Sequence, residues 1–200
     1  MSTKADTRQH LLDTAATMFH TGSYSGVGIA GICDQAGVSK GSFFHFFPSK
    51  RDLALAVADQ FRQRIGETLV KEGFSTQYSP LARFDRFAEA LYAFQKTQTE
   101  EHGHLPGCPF GNLALEQATQ DDVIRMKVDS CLSVLGNQFR QTIAEAVRCG
   151  ELPEVDEKAT ADAMLSYVEG IQLLAKARND PEVIRRLGPG LKSIRIFSDG

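Results

Sequence analysis

Apolar residues recur every three or four positions along nearly the whole of this 200-residue chain, and no segment alternates apolar with polar as a half-buried strand must. Ile124, Val128, Cys131, Leu135, Phe139 and Ile143 make the longest such stripe. Met164, Val168, Ile171 and Ala175 make a second one, and Leu11, Leu12, Ala15, Ala16 and Phe19 a third. A face of that period buries itself only when wound as a helix against other helices. The fold class this predicts is all-α.

Punctuation residues divide the pattern into about nine helices. The first opens after Thr3, with Asp6 completing a capping box, and stops at Gly22. A short helix follows from about Gly28 to Ala36, Gly37 supplies a turn, and a third helix runs from Ser39 to just before Pro48. Ser49 with Asp52 caps a fourth, long helix through about Lys71. Ser79-Pro80 opens a helix to about Thr99, and residues 101–109, with two His, two Gly and two Pro, form the clearest internal loop. A short helix from about Phe110, a long one over Asp121 to Arg148, and another over Asp156 to Arg178 come next. Asp180-Pro181 then starts a last helix reaching about Ile196.

Composition removes several classes of function. No apolar run approaches the roughly 20 residues of a membrane span, and the start of the chain lacks the basic-then-apolar order of a signal peptide. A cytoplasmic protein is expected, and Cys33, Cys108, Cys131 and Cys149 show no disulfide framework. A net charge of −3 argues against a protein that coats nucleic acid through bulk positive charge, but leaves room for one small basic reading surface. No nucleophile elbow, phosphate-cradling glycine loop or His-Glu metal helix is present, so no enzyme is expected. His102, His104 and Cys108 fall one ligand short of a zinc set, and no metal or cofactor is expected.

Residues 29–47 hold the sharpest local signal. Two short helices about a glycine turn form the hinge that lets one helix enter a major groove. Ile32, Ala36, Phe43 and Phe47 pair four apart and face a core, leaving Lys40, Ser42, Phe44, His45 and Phe46 for DNA. Lys50, just past Pro48, is placed to meet a phosphate.

The run Ala36-Gly37-Val38-Ser39-Lys40-Gly41-Ser42-Phe43-Phe44-His45-Phe46-Phe47-Pro48-Ser49-Lys50 closely resembles the TetR family of repressors. The resemblance implies a helix-turn-helix domain over 1–48 and a helical regulatory and dimerisation domain over 49–200. It further implies a homodimer joined through the last two helices and bound to an inverted-repeat DNA operator, with Lys40, Ser42, Phe44, His45, Phe46 and Lys50 at DNA-contacting positions. Two departures stand out. Phe44 and Phe46 replace tyrosines common in the family and offer only apolar contact, and Gly28 replaces a capping Ser or Thr.

Cys108 lies at the start of the short helix, where unpaired N–H groups favour a thiolate, in an irregular and potentially accessible Gly/Pro-rich setting. It also suits a small residue closing a tight junction. Its Gly-Cys context resembles the sensing cysteine of TetR-type repressors that respond to N-ethylmaleimide, quinones and reactive aldehydes, in which a late lysine partners the thiol. Lys176 falls at the matching place, although Glu169, Gln172 and Lys176 also read as an ordinary polar stripe. The Cys-Pro-Phe-Gly-Asn pattern is also similar to a TetR branch that includes an acrylate-responsive repressor. There the inducer binds reversibly, Cys108 is structural, and Phe94, Phe110, Phe139 and Tyr167 are candidate pocket aromatics that equally suit plain core.

Overall fold

The structure, a computed structural model, describes residues 4–197. The expected cap at Thr3 lies outside the described residues. Nine α-helices of six or more residues follow one another, with no strand among the described residues. They are α1 (Lys4–Thr21), α2 (Ile29–Ala36), α3 (Lys40–Phe46), α4 (Lys50–Ile65), α5 (Pro80–His102), α6 (Pro109–Gln117), α7 (Asp122–Arg148), α8 (Glu157–Arg178) and α9 (Glu182–Leu187).

Backbone contacts group the chain into two units, 1–63 with 109–131 and 64–108 with 132–200. The expected division near residue 48 therefore differs from this grouping, which joins most of α4, all of α6 and the first part of α7 to the first three helices.

The first unit is built on the pairs expected from spacing. Leu11 and Ala15 of α1, Ile32 and Ala36 of α2, and Phe43 and Phe47 around α3 are all buried. Gly37 ends α2 in the left-handed region (φ 64°), which a side chain resists, and its N–H meets the Asp34 carbonyl while the next N–H meets that of Cys33. Ser49 caps α4 reciprocally: its hydroxyl accepts from Asp52 N–H at 3.1 Å and donates to the Asp52 carboxylate at 2.6 Å.

In the second unit Phe74, Phe84, Phe87 and Phe139 form the centre, with ring centroids 5.3 to 5.8 Å apart in tilted and edge-on contacts. Each buried phenyl ring contributes about 2–3 kcal/mol, and such ring pairs add about 0.5–1.5 kcal/mol each. Of the candidate pocket aromatics in this unit, Phe139 is fully buried core, Phe94 is half-buried under Arg64, and the Tyr167 hydroxyl donates to the Leu187 carbonyl.

Two helices differ from expectation. The fourth loses α-geometry at Ile65, passes through a π turn over Gly66–Val70, and resumes only for Lys71–Gly73. The last helix ends at Leu187 rather than near Ile196, and a 3-10 turn over Gly188–Ser193 follows. Pro189 cannot donate to an α-helical ladder. Gly188 lies against α5 so closely that a Cβ would sit 2.8 Å from the Ala88 Cβ.

Candidate nucleic-acid interface and cysteine site

α3 presents the expected set in part. Lys40, Phe44 and His45 are exposed, Ser42 and Phe46 are half-buried, and Phe43 and Phe47 are buried beneath them. Ser39 caps the helix through Ser42 N–H (3.1 Å), and the two hydroxyls lie 3.1 Å apart, so Ser42 already has one partner. Phe44 stands 51% exposed, its ring in an edge-on pair with Phe43 at 5.3 Å between centroids. An apolar ring that wet on a seven-residue helix loses burial energy unless something covers it.

Lys50, the expected phosphate contact, is half-buried. Its ammonium donates to the Tyr24 carbonyl at 2.5 Å and lies over the Tyr24 ring at 4.2 Å. Burial pushes its pKa below the usual lysine value, and the Glu116 carboxylate works against that shift. Glu116, on α6, is the residue that spacing gave no reason to notice. Its two carboxylate oxygens accept from Tyr24 N–H (3.1 Å) and Ser25 N–H (2.8 Å), and Gln117 reaches Ser25 Oγ at 3.1 Å. The turn between α1 and α2 is thus clasped by α6, from a position 92 residues away. Phe19, His20, Phe61, Phe110 and Leu113 line a small pocket that is partly open to solvent.

In the second unit, residues 105–108 are all buried, contrary to the expectation of an accessible segment. Hydrogen bonds draw them in: Asn179 Oδ1 accepts from Leu105 N–H at 2.7 Å, and Gln95 Nε2 donates to the Gly107 carbonyl at 3.1 Å. Cys108 is 9% exposed and immediately precedes Pro109, the first residue of α6. Its side chain is hydrogen-bonded to Glu169 of α8. Burial pushes the Glu169 carboxyl above the usual carboxylate range, and the bond with Cys108 opposes this. A lowering by Cys108 is the effect of a thiol donating to the ionised carboxylate.

Gln172, one turn further along α8, accepts from Gln95 Nε2 at 3.0 Å. Glu169 and Gln172 thus turn toward buried partners rather than forming the plain solvated stripe, while Lys176 is half-buried. Glu169 is thus one partner of Cys108, beside the Lys176 that the family resemblance implies. The regular Glu169/Gln172 spacing was the one available signal. Among the other thiols, Cys131 is core as its stripe requires, Cys33 is buried in α2, and Cys149 is exposed. Among the described residues no three His, Cys, Asp or Glu side chains are grouped to hold a metal. No described helix is long and apolar enough to cross a membrane.

Residues 11–57 match the family described as bacterial regulatory proteins, tetR family, and residues 80–189 match the tetracyclin repressor-like C-terminal domain. The transcriptional regulator AcuR of Cereibacter sphaeroides is 34% identical over 163 residues, covering 80% of this chain and 71% of that protein. The repressor NemR of Escherichia coli K12 is 30% identical over 131 residues, 64% of this chain and 62% of that one. A crystal structure of a regulatory protein TetR from Rhodobacter sphaeroides superposes with a TM-score of 0.82 at 28% identity, covering 94% of this chain and 98% of that one. The chain belongs to the TetR family of bacterial transcriptional regulators, all-helical DNA-binding proteins and not enzymes.

Proposed function

We propose that this TetR-type repressor binds an inverted-repeat operator as a homodimer and releases it when a small electrophile or oxidant modifies Cys108. The observation that carries the reading is the Cys108–Glu169 hydrogen bond, because it supplies a proton acceptor to a thiol held inside the regulatory unit. Two third helices would enter successive major grooves, with Lys40, Ser42, Phe44, His45 and Phe46 on the reading face and Lys50 joining them only after leaving the Tyr24 carbonyl. Pairing through α8 and α9 is favoured by a face on which Ser166, Gly170, Leu173, Leu174 and Ala177 are all exposed at steps of one, three or four residues. Modification shifts the population toward a conformation with lower operator affinity, since release requires only a difference in affinity between states. Lys176 acts in this reading as a second polar group near the sensing helix face. The protein works in the cytoplasm, where its thiols stay reduced.

The alternative is a reversibly bound inducer with Cys108 structural, and it is favoured by the buried, unpartnered Oε1 of Gln95. The deciding experiment measures binding of wild type and Cys108→Ser to DNA from upstream of the gene, with and without a quinone, at fixed salt. Release of wild type alone supports the thiol sensor. Retention of both proteins moves the role to a reversible ligand, and failure of both to bind selected DNA pools overturns the assigned operator.

A further inference from the structure

Lys50 Nζ donates to the Tyr24 carbonyl at 2.5 Å and lies 4.2 Å from the centre of the Tyr24 ring and 6.0 Å from that of Phe19. The two rings meet edge-on at 5.3 Å, so the ammonium rests against a mutually packed aromatic pair. Tyr24 is gripped at its N–H as well. Glu116 accepts from it at 3.1 Å and from the Ser25 N–H at 2.8 Å, and Gln117 donates to Ser25 Oγ at 3.1 Å. Each of these residues belongs to the first unit. Burial works against the ammonium in this pose, and the Glu116 carboxylate offsets part of that cost. The cation that the reading head would offer to a phosphate is therefore already engaged by the chain itself. Lys40, exposed on α3, has no ion pair among the described residues and gives the contrasting case.

We propose that Glu116 is a brake on operator binding: it holds the Tyr24–Ser25 turn and, with its negative charge, keeps Lys50 docked on Tyr24 and out of the DNA interface. This rests on the operator-binding reading above. A DNA phosphate and the Glu116-held turn then compete for one cation. Binding must first break the Lys50–Tyr24 bond, so the apparent affinity is the intrinsic one reduced by the fraction of chains in which Lys50 is free. Neutralising Glu116 removes an attraction from the docked pose, while a Lys50 that has reached a phosphate keeps its partner. The docked population falls, and operator binding tightens. A residue that only supported the fold of the reading head has the opposite sign, because its loss weakens binding. The direction of the change thus separates a brake from a strut.

Operator affinity at fixed salt is measured for full-length wild type, Glu116→Gln, Lys50→Met and the double variant. Glu116→Gln is expected to bind about fivefold tighter than wild type. In the Lys50→Met background the same change is expected to bring no gain, since the cation it releases is gone. A Glu116→Gln protein that binds as wild type does, or more weakly, overturns the brake. An equal gain in both backgrounds also overturns it, because the carboxylate then repels DNA without acting through Lys50. Nuclear magnetic resonance of wild type, isotope-labelled at lysine Cε, gives a second measurement that depends on no variant. The Tyr24 ring is expected to shift the Lys50 ε-protons upfield in the free protein, and operator DNA to return them to the ordinary lysine position marked by Lys40. Ordinary Lys50 signals in the free protein overturn the docked pose, and signals that stay upfield in the complex overturn the competition. Failure to bind any selected DNA pool defeats the repressor reading itself, and is distinct from these results.

Discussion

Replacing Glu116 with alanine tests whether α6 holds the turn that carries the reading helix. The side chain accepts two backbone N–H bonds, from Tyr24 at 3.1 Å and Ser25 at 2.8 Å. Charge-assisted bonds of this kind contribute about 1.5–3 kcal/mol each when buried. Here Ser25 is exposed and Tyr24 and Glu116 are half-buried, so water recovers much of that. A combined loss of about 1–2 kcal/mol follows, which accelerates local opening by roughly 5- to 30-fold. Amide hydrogen exchange read at Tyr24 and Ser25 is the direct assay, because other amides of α1 and α2 serve as internal standards. Glu116→Gln keeps one acceptor and places an NH2 where the other oxygen stood, so an intermediate effect is expected. The alanine variant also withdraws the charge that supports the Lys50 ammonium, whose pKa falls further below the usual lysine value. Unchanged exchange at both amides in Glu116→Ala refutes the clasp.

Four further outcomes are expected. Lys40→Ala weakens operator binding across sequences and reduces the slope of log affinity against log salt by about 1; Phe44→Ala weakens binding with little change in thermal stability, because the ring is exposed. Glu145→Ala destabilises the fold by about 2 kcal/mol in urea denaturation, since it strips a bidentate partner (2.6 and 3.0 Å) from the buried Arg83 guanidinium. Arg83 holds the Glu145 carboxyl below its usual range, so this contribution is complete above the unfolded carboxylate value and disappears as pH falls through the folded one. Glu169 has the opposite sign: its folded pKa is raised, the native state holds the extra proton, and wild-type stability declines as pH climbs through the window between the unfolded and folded values. Glu169→Gln therefore gains on wild type as pH rises from the ordinary carboxylate range through the raised folded value, and a gap that stays constant across denaturation curves refutes the assignment.

The helical architecture was legible because its determinants are local. The 3.6-residue period, the Ser49/Asp52 cap and the Gly37 turn each act through neighbours a few residues away, and each stands in the structure where spacing put it. The same holds for Phe43 and Phe47, whose separation of four is enough to bury both. The TetR pattern is legible for a related reason: a groove-reading hinge tolerates few residue types at its turn. Spacing failed where a helix meets distant chain. The early end of α9 follows from a close approach to Ala88, and the π turn after Ile65 has no local marker that spacing would reveal.

Side-chain partnership is the part that only the tertiary structure decided. Lys50 reads as a phosphate contact in one dimension, and only the fold shows that it also has the Tyr24 carbonyl, 26 residues earlier, as a partner. Glu169 and Gln172 read as a solvated stripe, yet burial of residues 105–108 brings them Cys108 and Gln95, the latter pair 77 residues apart. A polar residue's ionisation and reactivity depend on which groups share its desolvated space. A sequence records neighbours along the chain, and those groups come together only when distant helices pack.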